Sequence, residues 1–252
     1  MKTIILFFNA LLTGNLLFAQ NGLFVNTGSI EYEKSVNMYA LARETLAGVQ
    51  TSSYASTYAQ GYDQYKKNYP QFAVVKSILT FANNKTLYTP GKTDNVVAFM
   101  GSSLAVKQLN TVYTDLSTNK RIVQKDILDG HYLLTDSLSK ITWKLIGRSE
   151  DIAGYPCREA HGVIQDSVYM VAFYTDRIRV NGGPESFSGL PGMILKLVLP
   201  HEHITWTATK VTEGIPATLE PPKKGKPLTY KEFYNLLKNA KESSNILKLN
   251  ML

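Results

Sequence analysis

Three groups of residues in this sequence have the types and spacing to do chemistry. His201 and His203 stand two apart, so at a hairpin end their side chains project the same way, roughly 7 Å apart at the root. That is half of a metal site, with Glu202 adjoining on the opposite side. Zinc and copper centres want three or four ligands, so His131, Glu202 or an aspartate elsewhere would have to complete it. Cys157, Glu159 and His161 also alternate. On a strand Cys157 and His161 are about 13 Å apart at ~3.3 Å per residue, whereas a nucleophile and its base must meet at about 3 Å. The pattern therefore reads as a buried structural thiol. The third group lies in residues 183–192, where Phe187, Leu190 and Pro191 could line a ligand. Leu190-Pro191-Gly192-Met193 suits a type II turn, with proline presetting φ and glycine taking positive φ. A phosphate cradle would need a helix start or a lysine–serine pair after the glycines, and an aliphatic run follows instead. There is no Gly-x-Ser-x-Gly elbow, His-Glu-x-x-His pair or Walker loop, and no motif asks for a cofactor. Glu150 and Asp151 sit in a polar, turn-like cluster and read as solvated.

The elements that must position these residues are mostly strands. Residues 28–34 alternate apolar and polar, the period of a half-buried strand. From Phe72 onward short β runs recur at ~8–12-residue spacing: 72–81, 86–88, 111–114, 121–124, 131–134 and 141–145. Polar and Gly-rich turns separate them. A hairpin is predicted from Met193–Leu199 through Pro200-His201-Glu202 to Ile204–Val211. This rhythm argues one antiparallel sheet, open or closed, rather than βαβ units. Residues 37–69 interrupt it with helical periodicity. Met38, Leu41, Ala42 and Leu46, then Tyr54, Tyr58, Tyr62 and Tyr65, predict one or two helices whose tyrosines pack on the sheet. A last helix is expected over 230–243, with Thr229 and Glu232 forming a capping box.

Lys2 followed by the apolar run 4–17 and the small Ala19 has the pattern of a secretory signal peptide, cleaved near Ala19-Gln20. The run is too short and broken to span a bilayer, and no later segment is apolar enough to do so. The expected layout is a signal over 1–19 and one domain over 20–252. The destination is the periplasm or cell envelope. With 44% hydrophobic and 19% charged residues, the chain can bury a sizeable core. Its net charge of +7 comes largely from scattered lysines and reads as solvated surface, not a nucleic-acid footprint. The lone Cys157 excludes an internal disulfide.

The order Ala153-Gly154-Tyr155-Pro156-Cys157, then Phe173-Tyr174, then Gly189-Leu190-Pro191-Gly192-Met193-Ile194 resembles the GLPGLI family of exported Bacteroidetes proteins. Met193 departs mildly from that family's last motif, and Phe173 stands where tryptophan is frequent. The resemblance implies a cell-envelope protein with no agreed catalytic residues. It also implies a curved, half-barrel or bowl-like sheet, akin to the N-terminal domain attached to one type of glycan-releasing amidase and analogous to half-barrel lipid carriers. The favoured expectation is a non-enzymatic binding or accessory protein. Its partner would be a lipid or peptide, or an envelope protein such as an outer-membrane transporter. A hydrolase-like site near 183–192 and a metal site at His201/His203 are the alternatives.

Overall fold

The computed structural model describes residues 24–91, 96–99, 104–107, 109–127, 130–164, 167–214 and 218–239. The expected signal segment over 1–19, and residues 240–243 of the expected last helix, lie outside them. The chain runs β1 (Gly28–Asn37), α1 (Met38–Val49), α2 (Ala55–Asn68), β2 (Phe72–Ala82), β3 (Lys85–Pro90), α3 (Leu104–Lys107) and β4 (Thr111–Asp115). It continues through β5 (Lys120–Ile127), β6 (Gly130–Ser137), β7 (Ile141–Ile152), β8 (Tyr155–Ile164), β9 (Val168–Thr175), β10 (Met193–Leu199) and β11 (Ile204–Glu213). β12 (Lys226–Leu228) and α4 (Tyr230–Asn239) close it.

All the strands belong to one 12-stranded sheet in the order β12-β6-β5-β4-β3-β2-β1-β11-β10-β9-β8-β7. Every pair is antiparallel except β12 with β6. The two end strands do not pair, so the sheet is open, yet it is strongly rolled. β5 and β7 stand nine places apart in that order, which in a flat sheet is about 43 Å at ~4.8 Å per step. Nevertheless Arg121 of β5 donates to Ser186 Oγ at 3.1 Å, and Trp143 of β7 donates to the Ser188 carbonyl at 3.1 Å. One short segment touches both, so the sheet must curl around it.

That segment, residues 176–192, lies against the inner face and links β9 to β10. Gly192 takes φ +143° where it passes Thr175, and a Cβ there would stand 2.1 Å from the Thr175 carbonyl oxygen. The Gly192 N–H bonds the Leu190 carbonyl at 2.8 Å, so the turn at Pro191 is a three-residue γ-like turn, tighter than the expected type II form. The positive-φ glycine is as expected. The inner face itself follows strand alternation: Ile30, Tyr32, Lys34 and Val36 of β1 are buried, as are Val75, Ser77 and Leu79 of β2. β10 is buried on both faces, with Met193 to Leu195, Leu197 and Leu199 all in the core.

The helices behave differently from the tyrosine expectation. Asn37 caps α1, its side chain accepting from the Ala40 N–H at 3.1 Å. The α2 tyrosines then pack on α1 and on residue 99 more than on the sheet. Tyr62 and Tyr65 meet Tyr39 and Phe99 edge-on or tilted, with centroids 5.6–6.4 Å apart. Tyr65 also donates to the Val97 carbonyl at 2.9 Å. Tyr54 stays exposed. At the other end Thr229 and Glu232 make the reciprocal capping box, and burial of Phe233 and Leu237 docks α4. Glu150 and Asp151 lie within β7, not in a turn, and Glu150 accepts from Lys196 at 2.8 Å.

The two edges differ from the strands between them. β12 is three residues long and contains Pro227. β7 is irregular between Leu145 and Ser149, where it carries Gly147 and the exposed Arg148.

Candidate functional site

Three cations and a carboxylate are buried together on the inner face. Between β1 and β5, beneath the 176–192 segment, Lys34, Arg121 and Lys125 are buried at 5%, 2% and 1% exposure, together with Glu185 at 7%. Strand alternation places the cations there. Lys34 shares its face with Ile30 and Tyr32, and Arg121 and Lys125 share theirs with Val123 and Ile127. Glu185 arrives from the other side. It is a non-glycine residue in the left-handed region, φ +54°, a conformation that costs of order 1 kcal/mol and persists only where the surroundings impose it.

Glu185 Oε2 accepts from Asn110 Nδ2 at 3.0 Å, and Oε1 lies 3.9 Å from Lys34 Nζ. Lys34 also rests over the Trp206 ring, 5.2 Å from its centroid, and Phe187 stands 6.0 Å from the same ring. Trp206 donates to Tyr88 Oη at 3.2 Å. Arg121 stacks on Tyr230, 4.1 Å from the ring centroid, which brings α4 to the site. Asn110 Oδ1 and Thr114 Oγ1 are buried without a hydrogen-bond partner.

The electrostatics follow from burial. Desolvation lowers Lys34, with Glu185 opposing it. Lys125 is brought down to about 7, first by desolvation, with Arg121 and Lys34 pushing the same way and Glu185 resisting. Burial raises Tyr88 strongly and Tyr230 to about 12. Among the described residues this cluster gathers Lys34, Arg121 and Lys125 beside Glu185. Such an arrangement attracts an anion and can hold an uncharged amine near neutral pH.

The residues singled out in the sequence fall in several places. Phe187 and Leu190 are buried, Phe187 forming part of the site's wall, while Pro191 is exposed. Cys157 is fully buried on β8, and desolvation pushes its thiol up to about 12, as a structural thiol should be. His161 Nε2 lies 2.6 Å from Glu159 and Nδ1 3.0 Å from Tyr169 Oη, away from the thiol chemistry. His201 is exposed, whereas His203, at φ +57°, bonds Glu44 of α1 at 3.0 Å. Among the described residues no group of three or more His, Cys, Asp or Glu side chains gathers to hold a metal. Lys34, Arg121, Lys125 and Glu185 were missed by sequence reasoning. The signal for the first three was present, because each is a cation standing on the apolar register of its strand.

Residues 150–196 match a family model described as a protein of unknown function, Porph_ging. No curated protein matches the chain. Among solved structures, one of PNGF-II is similar at a TM-score of 0.52 and 17% identity, over 85% of this chain and 34% of that one. The likeness shows a shared β-rich fold, and the chain spans about a third of that protein's length. No helix among the described residues is long and apolar enough to cross a membrane.

Proposed function

We propose that this is an exported GLPGLI-like protein of the cell envelope that binds a ligand rather than transforming one. The ligand would lie against the inner face of the rolled sheet, under the 176–192 segment. The observation that carries this reading is the burial of Lys34, Arg121 and Lys125 together in the core, with Glu185 facing Lys34 at 3.9 Å. Dehydrating cations lowers stability, and a fold keeps such a cost where the groups serve a purpose. The hydrolase alternative finds less support. Ser186 faces Arg121, and the thiol of Cys157 lies on another strand with its proton held tightly. The export pattern over residues 1–19 supports an envelope destination.

The test is native mass spectrometry of the mature chain, from Gln20, purified from its own envelope. A bound small molecule that disappears in Arg121→Met supports the reading. A chain that arrives empty and stays empty on exposure to envelope extracts removes it.

A second reading has its own observation. On the outward face of β2, Phe72, Val74 and Ile78 are each 44–50% exposed. Beside them a groove of about 260 Å³ runs past Lys76, Ile78, Thr89 and Pro90. An envelope protein such as an outer-membrane transporter would cover that stripe, and crosslinking in intact cells from position 74 would trap it.

A further inference from the structure

We infer that the ligand group received at the inner site is a carboxylate, and that Glu185 occupies its place in the free protein. This deepens the binding reading above and rests on it. The seat is shaped for two oxygens: one faces Lys34 at 3.9 Å and the other takes a hydrogen bond from Asn110 at 3.0 Å. The side chain filling it comes from a loop rather than from the sheet that provides the cations. That loop has a pinched neck, because the Gly189 N–H bonds the Asn181 carbonyl at 3.4 Å and the Ile194 N–H bonds the Gly182 carbonyl at 2.8 Å. Between these ties, the contacts of residues 182–188 with the body include Glu185 to Asn110 and Lys34, Ser186 to Arg121, the Ser188 carbonyl to Trp143, and the buried Phe187 ring against Trp206.

Two further observations point to an incoming group. Asn110 Oδ1, on a residue 5% exposed, has no hydrogen-bond partner beside the seat, an acceptor ready for a hydroxyl or amide on the ligand. Glu185 itself is held in the left-handed region, so its withdrawal relieves backbone strain that partly offsets the lost ion pair. Exchange of one carboxylate for another keeps a negative charge facing Lys34, where a neutral ligand would take that charge away from a buried ammonium. Lys125, faced by Arg121 of its own strand, Lys34 of β1 and Glu185 of the loop, takes up a proton if the new carboxylate sits closer than Glu185 does.

Both tryptophans report on the exchange, since Trp143 bonds the loop carbonyl and Trp206 packs on Phe187. The experiment titrates acetate, acetamide and inorganic phosphate into the intact mature chain and reads tryptophan fluorescence and binding heat. Acetate should bind and acetamide should not. Glu185→Gln, whose fold is checked by circular dichroism, should bind acetate about tenfold more tightly or better, because a tethered carboxylate competes at roughly millimolar effective concentration or above. Lys125→Met should weaken binding. Silence of both wild type and folded Glu185→Gln toward acetate overturns the inference, as does tighter binding of phosphate than of acetate. A neutral molecule retained from the envelope, indifferent to Lys125→Met, overturns the carboxylate assignment while leaving the binding reading standing. An empty chain that also ignores acetate removes both.

Discussion

Glu185 and Glu159 are equally buried, each 7% exposed, and they differ in everything that surrounds them. Glu159, on β8, meets His161 at 2.6 Å and Arg148 at 3.7 Å, partners whose side chains are 33% and 71% exposed. Its partners reach the rim of the sheet, while its own Oε2 is buried without a hydrogen-bond partner. Glu185 faces Lys34 at 3.9 Å, in a cluster with Arg121 and Lys125 in which all three cations are 5% exposed or less. The lesson is that burial of a carboxylate alone says little. What its partners do with solvent decides whether the group trims a surface or controls a core.

The largest expected difference is in truncation. Glu185→Ala should cost about 3–5 kcal/mol, since it takes the facing carboxylate away from the buried Lys34 ammonium. Glu159→Ala should cost about 1–2 kcal/mol, because its partners turn to water. Equal losses in urea unfolding would erase the distinction.

Next comes pH. The unfolded chain keeps the Lys125 proton up to about 10.5, whereas the fold releases it near 7. Between those values the unfolded state binds more protons, so stability rises with pH, by at most about 1.4 kcal/mol per unit. Lys34, also lowered, acts in the same direction. Above about 9 the trend turns over. There Cys157, held to about 12, and the raised tyrosines Tyr88 and Tyr230 keep protons in the fold that the unfolded chain gives up. Melting temperatures across pH 6.5–10 should therefore peak near 9, and a flat profile would show that Lys125 is well solvated.

Lys125→Met sharpens the same point. It should flatten the alkaline rise, because the group that releases its proton near 7 is gone. A loss of stability in this variant would show that the ammonium contributes net support to the core. The smallest effect is kinetic. Cys157, two residues from Glu159 yet fully buried, should react with iodoacetamide only as fast as β8 opens. Labelling within seconds in native buffer would mean that this side of the sheet opens far more readily than its packing implies.

Much of the scaffold was legible because it is local. The capping box at Thr229 and Glu232, the hairpin around residues 200–203 and the helical insert after Asn37 each follow from a few neighbouring residues. The curvature of the sheet came only from a family resemblance, because it depends on Ser186 and Ser188 meeting strands far apart in sequence. The site was half legible. Ile30, Tyr32, Lys34 and Val36 share one parity, as do Arg121, Val123, Lys125 and Ile127, so cations were written into apolar registers. A lysine at such a position ordinarily snorkels to the surface, and only the covering 176–192 segment prevents that here. Glu185 carried no signal of its own, since nothing local says that a loop carboxylate will turn inward at φ +54°.

An open sheet of this width has two rims, and each presents unpaired backbone groups that another chain could extend. One rim ends in β12, too short to template a ladder and bearing Pro227, which has no N–H to offer. The other is β7, whose hydrogen-bond ladder breaks between Leu145 and Ser149 beside the exposed Arg148. Strand-by-strand polymerisation is thereby discouraged at both ends. Restoring a regular β7, or replacing Pro227 with a β-branched residue, would make this protein a candidate for fibre formation.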